Sequence, residues 1–140
     1  MTSLPILVID SSAALALILA DEEGEGVRAL VANTIAANGQ LHVPELFWYE
    51  VGNALRTAEI SRRISTEEGG AAAVALRELP FVASSCAATE TARAVGTLAR
   101  QHSLTYYEAA YLHLAIHIDA PLKTFDAHLL ALRGAYDAIL

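Results

Sequence analysis

The sequence predicts an α/β fold with a short, mostly parallel sheet of four to five strands. Short β-branched and aliphatic runs alternate along the chain with longer segments rich in alanine and leucine, which is the pattern of consecutive βα units. Alanine accounts for 28 of the 140 residues, whereas aromatic residues make up only 6%. This composition favours closely packed helices and excludes an all-β sandwich.

The predicted strands are short apolar runs bounded by turn residues or by helix signals. Their length and their content of aliphatic residues are typical of strands in a parallel sheet that is covered on both faces. They span residues 6–9, 41–43, 81–84 and 121–124, with 136–139 as the fifth.

Residues that start or stop helices separate these strands. The Asn-Gly pair at 38–39 is a usual helix C-cap. Pro44 suits a first helical turn and is predicted to open a helix that runs to about residue 60. Ser65 or Thr66 caps the next helix, and Pro80 stops it. The remaining helices are predicted from near residue 12 onward and over residues 24–37, 89–101, 105–118 and 126–132.

The overall charge argues against nucleic-acid binding by a basic surface. Nine lysine and arginine residues stand against sixteen acids, which gives a formal net charge of −7. Affinity for phosphate normally comes from basic side chains. That argument fails where several acids converge and hold divalent cations, because the local field is then inverted. Arg56, Arg62 and Arg63 are the one basic concentration, either a phosphate-steering patch or an ordinary soluble helix end.

We expect a single domain over residues 1–140 that is soluble and cytoplasmic. At this length, 54% hydrophobic residues are enough for one core. The apolar stretch that begins at Ala13 is much shorter than the roughly 20 residues of a membrane span. Cys86 is the only cysteine, so no internal disulfide can form, and its apolar neighbours predict buried packing.

Two aspartates directly follow predicted strands. Asp10 ends the first strand, and Asp126 comes after the fourth. Since the carboxyl ends of strands border the ligand crevice of an open parallel sheet, both acids are candidates for chemistry. The alternative for each is a helix N-cap, although Ser12 is better placed than Asp10 to cap the first helix.

Glu50 lies in the middle of a predicted helix that is otherwise apolar. At about 100° per residue it shares one face with Asn53 and Ala54, which places an acid and an amide in a packed stripe. A buried carboxylate without compensation costs several kcal/mol or takes up a proton. We therefore expect a cation or a metal ion next to Glu50.

Glu108 opens a predicted helix and has a structural alternative. Thr105 stands three residues before it, which is the spacing of a capping box and by itself accounts for the glutamate. His113 and His117 lie about 140° and 180° around the same helix from Glu108. They cannot join a carboxylate cluster that contains Glu108, and no third zinc ligand accompanies them, so both are predicted to be surface or interface residues.

Four short motifs contain these acids together with small polar or apolar neighbours. They are Asp10 with Ser12, Glu50 with Asn53-Ala54-Leu55, Tyr107-Glu108-Ala109 followed by Tyr111-Leu112, and Thr124-x-Asp126. In order and spacing they resemble the PIN-domain ribonucleases, and most of all the VapC toxins of toxin–antitoxin pairs. The resemblance covers nearly the whole chain. The family usually has aspartate where this chain has Glu108. The glutamate keeps the negative charge, but its side chain is one methylene longer.

The resemblance implies a PIN-like fold of three layers, α/β/α, and an acidic site that holds Mg²⁺ or Mn²⁺. Oxygen ligands with open positions suit these hard cations better than zinc. The implied quartet is Asp10, Glu50, Glu108 and Asp126, with Ser12 and Thr124 as supporting hydroxyls and Asn53 as a supporting amide.

The same resemblance implies partners as well as a reaction. The reaction is metal-dependent hydrolysis of RNA phosphodiester bonds, so RNA is the expected substrate, and a small cognate antitoxin is the expected protein partner. Apolar helix faces around Phe47 and Trp48 separately predict a symmetric homodimer.

Other classes with an aspartate at a strand end fit less well. A haloacid-dehalogenase-type phosphatase needs a second acid at the position of Ser12, and a response-regulator receiver needs an acidic pair that Asp10 does not form. A non-enzymatic alternative stays open. It is a degenerate PIN-like module that binds RNA or protein, in which Glu108 impairs the metal site.

Overall fold

In the computed structural model, which describes residues 3–19 and 24–140, four short strands form one parallel sheet. They are β1 (Ile6–Ile9), β2 (Gln40–Pro44), β3 (Phe81–Ser84) and β4 (Leu122–Lys123), in the sheet order β3-β2-β1-β4. The chain therefore adds β2 and β3 on one side of β1 and then places β4 on the other side of β1. This reversal makes the carboxyl end of β1 the topological switch point, where open α/β sheets bind ligands.

Within the described residues, helices lie between successive strands, and one short helix follows the last strand. The longest have 14 residues, and no helix within the described ranges is long and apolar enough to cross a membrane. The helices are α1 (Ser11–Ile18), α2 (Glu25–Ala36), α3 (Phe47–Ile60), α4 (Thr66–Arg77), α5 (Thr89–His102), α6 (Tyr106–His117) and α7 (Ala127–Leu130).

The helices cover both faces of the sheet. α1 packs against α2, α3 and α4, whereas α6 packs against α5 and against β1 and β2. The central strand residues Val8, Ile9, Leu41 and Val43 are completely buried, as expected for a parallel sheet between two helical layers. The three-layer α/β/α fold that the resemblance implied is confirmed.

The prediction that Pro44 opens a helix is wrong. Pro44 is the last residue of β2, where it pairs with Ser84 of β3, and α3 begins only at Phe47. Proline lacks a backbone N–H, but the N–H of Glu45 donates to the Ser84 carbonyl at 3.0 Å and continues the ladder. Long-range strand pairing therefore overrides the local preference of proline for a first helical turn.

The Asn-Gly turn after α2 uses its two residues differently from a standard glycine cap. Asn38 adopts the left-handed conformation with φ of 58°, and no glycine of the described residues has a positive φ. Gly39 is required for space, because a Cβ at this position would lie 2.3 Å from the carbonyl oxygen of Pro5. The turn thus brings the chain close against the residue that precedes β1.

The fifth predicted strand is reduced to a single contact. Ile139 forms one isolated parallel bridge with Leu122, and the segment before it is made of turns. β4 itself has only two residues, fewer than the four predicted.

Three aromatic rings form one side of the core. Phe47 is completely buried, with its ring centre 5.1 Å from those of Trp48 and Phe81, and Trp48 and Phe81 lie 5.3 Å apart. Aromatic pairs at these separations add to the stability that burial alone provides. Phe47 therefore does not belong to an exposed apolar surface, which removes part of the sequence argument for a dimer.

Candidate active site

The structure brings the four predicted acids together around one small cavity of about 70 Å³ at the carboxyl end of β1. One carboxylate comes from the residue that follows β1, one each from α3 and α6, and one from the loop before α7. Acids from distant parts of the sequence therefore meet at the switch point of the sheet. The cavity is lined by Asp10, Ser11, Ser12, Glu50, Glu108, Tyr111, Asp126 and Leu129.

Asp10 is almost completely buried at the end of β1, with 4% of its surface exposed. Its Oδ1 accepts hydrogen bonds from Ser12 Oγ at 2.6 Å and from the Ala13 N–H at 3.0 Å. The bond from Ala13 makes Asp10 the N-cap of α1, so the prediction that Ser12 is the better cap is wrong. Ser12 already lies within the helix and donates to the cap instead. Asp10 therefore caps a helix and lines the cavity at the same time.

Two hydroxyl groups tie the loop that carries Asp126 to Asp10. Thr124 Oγ1 donates to Asp10 Oδ2 and accepts the N–H of Asp126 at 2.9 Å. Ser12 Oγ, which donates to Asp10, accepts the N–H of Phe125 at 2.9 Å. Because each hydroxyl donates to a carboxylate and accepts a backbone N–H, the two aspartates are fixed relative to each other.

Glu50 lies at the border of the buried face of α3. That face carries Phe47, Val51, Leu55 and Ala58. At 100° per residue, Glu50 lies about 60° to one side of Phe47, which leaves its side chain half-buried. The buried hydroxyl of Tyr111 donates a hydrogen bond to Glu50 Oε1 at 2.6 Å. One oxygen of this carboxylate is therefore held by a residue of α6.

Asn53 does not line the acidic cavity. It lies about another 60° around α3 from Glu50, beyond the border of the buried face, and its side chain is exposed. The prediction that the amide shares a packed stripe with Glu50 is therefore wrong.

Burial and mutual repulsion raise the pKa values of two of the four acids. Burial is the largest cause of the raised pKa of Asp10; hydrogen bonds oppose it, and the charge of Asp126 adds to it. Burial also comes first in raising the pKa of Glu50, followed by the charges of the other three acids, while the Tyr111 hydrogen bond opposes the rise. The protein groups around these two carboxylates therefore do not fully compensate their negative charge.

Glu108 forms the capping box with Thr105 that the sequence offered as an alternative to a role in the site. Its Oε2 accepts the Thr105 N–H at 2.7 Å, and its own N–H donates to Thr105 Oγ1 at 3.1 Å. Its Oε1 lies 2.9 Å from Nδ1 of His128. Burial raises the pKa of Glu108, but the hydrogen bonds from Thr105 and His128 and the charge of His128 outweigh it, so the net shift of the pKa is downward. With both oxygens engaged, Glu108 is the acid least available to a cation.

His128 is a further residue of the site, which was not predicted from the sequence. Glu108, Asp126 and His128 each place one potential ligand atom within 4.8 Å of those of the other two. Asp126 Oδ1 accepts the Leu129 N–H at 3.0 Å and so caps α7, which brings residue 128 next to the capping carboxylate. The hydrogen bond and charge of Glu108, with the charge of Asp126, raise the pKa of His128. The spacing Asp-x-His at a helix start was the available sequence signal.

Tyr111 is the second residue whose role was missed. It lies three residues after Glu108 in α6, and side chains at this spacing lie on the same side of a helix. Burial, the hydrogen bond to Glu50 and the Glu50 charge raise the pKa of Tyr111 far above its usual range. The hydroxyl therefore keeps its proton and remains a hydrogen-bond donor to Glu50.

A second cavity, of about 300 Å³, contains the histidines of α6. His113 and His117 line it together with His42 and Cys86, and none of these residues lines the acidic cavity. The two rings of α6 stack with centres 5.5 Å apart. Their separation from the acids agrees with the helical geometry predicted from the sequence. Cys86 is half-buried rather than buried, and burial is the largest cause of its raised pKa.

The three arginines at the end of α3 lie away from the acids. Arg56 Nη1 is 3.7 Å from Glu59 Oε2, and Arg62 and Arg63 line a separate cavity. None of the three lines the acidic cavity. Direct steering of phosphate into this cavity therefore has no support from their positions.

This chain belongs to the PIN domain family, whose model matches residues 7–135. The match confirms the family that the four acidic motifs indicated. It also agrees with the fold, in which the acids meet at the carboxyl end of a central parallel strand.

Known proteins that are similar to this chain in sequence or in structure agree with the family assignment. Ribonuclease VapC1 from two strains of Mycobacterium tuberculosis is 34% identical over 111 residues, which cover 79% of this chain and 81% of the relative. Among solved structures, PAE2754 from Pyrobaculum aerophilum superposes with a TM-score of 0.69 at 24% identity. The superposition covers 91% of this chain and 78% of that protein, and it supports the fold.

Proposed function

We propose that this chain is a Mg²⁺- or Mn²⁺-dependent endoribonuclease and the toxin of a toxin–antitoxin pair. The observation that carries the proposal is the meeting of four carboxylates around one small cavity in a PIN-domain chain. The Mycobacterium tuberculosis relatives are named ribonucleases, which supports RNA as the substrate class. Purified protein should cut single-stranded RNA in the presence of Mn²⁺ and not in the presence of a chelator.

The cavity fits a hard divalent cation. Oε2 of Glu50 and Oδ2 of Asp126 accept no hydrogen bond from the described residues, and Oδ2 of Asp10 accepts only one. A water molecule takes about 30 Å³ in the liquid, so the cavity has room for an ion and one or two waters. We assign Asp10, Glu50 and Asp126 to metal contact, directly or through water, and Glu108 to a more distal position.

The side chains around the cavity orient these carboxylates for hydrolysis. A divalent cation supplies a Lewis acid that orients the phosphodiester and lowers the pKa of bound water. Ser12 and Thr124 hold the Asp10 carboxylate in one orientation. Because Tyr111 occupies Oε1 of Glu50, Oε2 is the atom that can take a proton from the attacking water.

Mn²⁺ should raise the melting temperature of the protein by about 5 °C or more at neutral pH. A ligand at 100 times its Kd stabilises the folded state by about 2.7 kcal/mol, which corresponds to a shift of this size. Differential scanning fluorimetry with Mn²⁺ and with a chelator measures the effect. Equal melting temperatures under the two conditions would contradict a metal site in the cavity.

Without metal, the protein should become more stable as pH falls from neutral toward the ordinary pKa values of Asp10 and Glu50. The pKa values of Asp10 and Glu50 are raised from their ordinary values of 3.8 and 4.5, so the folded state binds more protons than the unfolded state in this window. Stability therefore decreases as pH rises through the folded-state pKa values. The increment due to Mn²⁺ should change in the opposite direction, because protons compete with the metal. Urea unfolding at several pH values tests both signs.

Expression of the chain alone should arrest growth, and a small cognate antitoxin should restore it. We propose that a segment of the antitoxin places an arginine or lysine among the carboxylates, where a charge-assisted hydrogen bond competes with the metal. The net charge of −7 favours such a basic inhibitor. Colony counts after induction, with and without co-expression of a cognate antitoxin, measure the effect. Unimpaired growth without the antitoxin would contradict the toxin proposal.

We also propose a symmetric homodimer. Phe47 is buried, but Ile60, Val74 and Ile116 expose 65%, 60% and 44% of their surfaces on three different helices. Exposed apolar side chains of this kind are used in protein interfaces. Light scattering at micromolar concentration should give about 30 kDa, twice the chain mass of 14.9 kDa. A mass near 15 kDa would contradict the dimer.

A further inference from the structure

Three of the four site acids directly follow an exposed aromatic residue. The pairs are Tyr49-Glu50, Tyr107-Glu108 and Phe125-Asp126. The aromatic members expose 83%, 59% and 43% of their surfaces. The chain has only nine aromatic residues. Three of the other six, Phe47, Trp48 and Phe81, pack against one another on one side of the core. A third of its aromatic residues are thus exposed at positions that directly precede an acid of the site in the sequence.

Phe125 is the member of this group whose position is fixed most firmly. Its N–H donates to Ser12 Oγ at 2.9 Å, and Ser12 Oγ donates to Asp10 Oδ1 at 2.6 Å. The next residue, Asp126, is anchored through its own N–H to Thr124. Two hydrogen-bonded links therefore hold the backbone of Phe125 against the acidic site, while its ring remains exposed to solvent.

A cation lies against the same ring. The Lys123 ammonium is 4.9 Å from the centre of the Phe125 ring, within the range of a cation–π contact. Within residues 3–19 and 24–140, Lys123 forms no ion pair. In a chain with nine basic residues and sixteen acids, an ammonium without an acidic partner is available to a phosphate.

The size of the acidic cavity determines where a nucleotide can lie. About 70 Å³ accommodates an ion and a water or two but not a base and its ribose, so the RNA must run across the outside of the cavity. The exposed Phe125 ring, whose backbone is held at the site, offers base stacking, which is worth about 1–3 kcal/mol per base and tolerates any base. Stacking can supply affinity that the acidic surface does not provide.

We propose that Phe125 and Lys123 form a nucleotide-binding subsite beside the acids. Phe125 stacks on a base of single-stranded RNA next to the cleaved phosphodiester, and Lys123 contacts a backbone phosphate of the same strand. The subsite rests on the proposed ribonuclease function and adds to it a binding role for two residues outside the acidic quartet. It recognises an unpaired base without specifying which base it is.

Binding of two RNA probes to the Asp10→Asn protein, in which we expect cleavage to be about a thousandfold slower, tests the subsite. One probe is a short fluorescent single-stranded RNA, and the other has the same ribose-phosphate backbone without bases. Adding Phe125→Ala should weaken binding of the normal RNA about tenfold and leave binding of the abasic probe unchanged within twofold. Adding Lys123→Gln should weaken both probes alike and reduce the salt dependence of binding by about one phosphate contact.

Matched variants separate stacking from general effects of mutation. Phe125→Trp should retain the affinity for normal RNA, whereas Phe125→Leu, which keeps an apolar side chain without a ring, should lose it as alanine does. Leu4→Ala, which truncates an exposed apolar residue before β1, should change nothing.

Several results would overturn the subsite. The subsite is wrong if Phe125→Ala weakens the binding of both probes equally, or weakens the binding of neither. A Phe125→Ala protein with unchanged RNA affinity and weakened antitoxin binding would also overturn it, because the ring would then belong to a protein interface. If the unmutated chain cleaves RNA while these variants fail to discriminate, the ribonuclease proposal stands without the subsite. If it neither binds nor cleaves RNA, both proposals are wrong.

Discussion

Replacing Asp10 with asparagine is expected to slow metal-dependent cleavage of single-stranded RNA by about a thousandfold or more. Asparagine has the shape of aspartate, and its oxygen can still accept the Ala13 N–H and the Ser12 hydroxyl, so α1 keeps its cap. It lacks the negative charge that a divalent cation needs. Loss of several kcal/mol of transition-state stabilisation corresponds to three factors of ten at about 1.4 kcal/mol each. Initial rates on a fluorescent RNA in Mn²⁺ measure the loss.

The matched control is Glu67→Gln. Glu67 is an exposed acid in the first turn of α4 and does not line the acidic cavity, so the same change of acid to amide should leave the rate unchanged. Cleavage that persists in the Asp10→Asn protein above a tenth of the original rate would contradict the assignment of Asp10. If the unmutated chain does not cleave any RNA with either metal, the degenerate RNA- or protein-binding module becomes the better account.

The fold was largely predictable because its elements have local signals. The helix cap at Ser65 or Thr66, the capping box at Thr105 and the aliphatic strands are visible in the sequence. The structure has Ser65 as the cap, the box at Thr105 and all four main strands. The failure at Pro44 has a different origin. Its extended conformation depends on pairing with Ser84, forty residues later, and no local pattern around the proline contains that information.

The site was predictable where topology or an isolated charge marked a residue. Asp10 and Asp126 follow strands, and Glu50 is a lone acid in an apolar helix. The contacts of these acids were not predictable in the same way. Tyr111 and Glu50 belong to helices of different layers, so their hydrogen bond follows from packing and not from spacing along the chain. His128 was missed because an exposed histidine in a four-residue helix has no periodic pattern.

Replacing Thr124 with valine is expected to reduce both activity and stability. The Thr124 side chain is 1% exposed, donates to Asp10 Oδ2 and accepts the Asp126 N–H. Valine has nearly the same shape but can neither donate nor accept a hydrogen bond. Buried polar groups left without partners cost about 1–3 kcal/mol, which urea unfolding measures directly. Loss of a residue that orients a metal ligand typically lowers metal affinity or activity about 10- to 100-fold.

The pH dependence of cleavage distinguishes an orienting role of Thr124 from a purely structural one. Its hydrogen bond to Asp10 lowers the pKa of that carboxyl and so opposes the rise caused by burial. Without the hydroxyl the pKa of Asp10 should rise further, and the acid limb of the pH–rate profile should move to higher pH in Thr124→Val. Thr124→Ser keeps the hydroxyl and should restore the profile and most of the rate, even if the lost methyl group lowers stability. A valine variant that is less stable but has the original rate and profile at saturating Mn²⁺ would show that Thr124 only supports the fold.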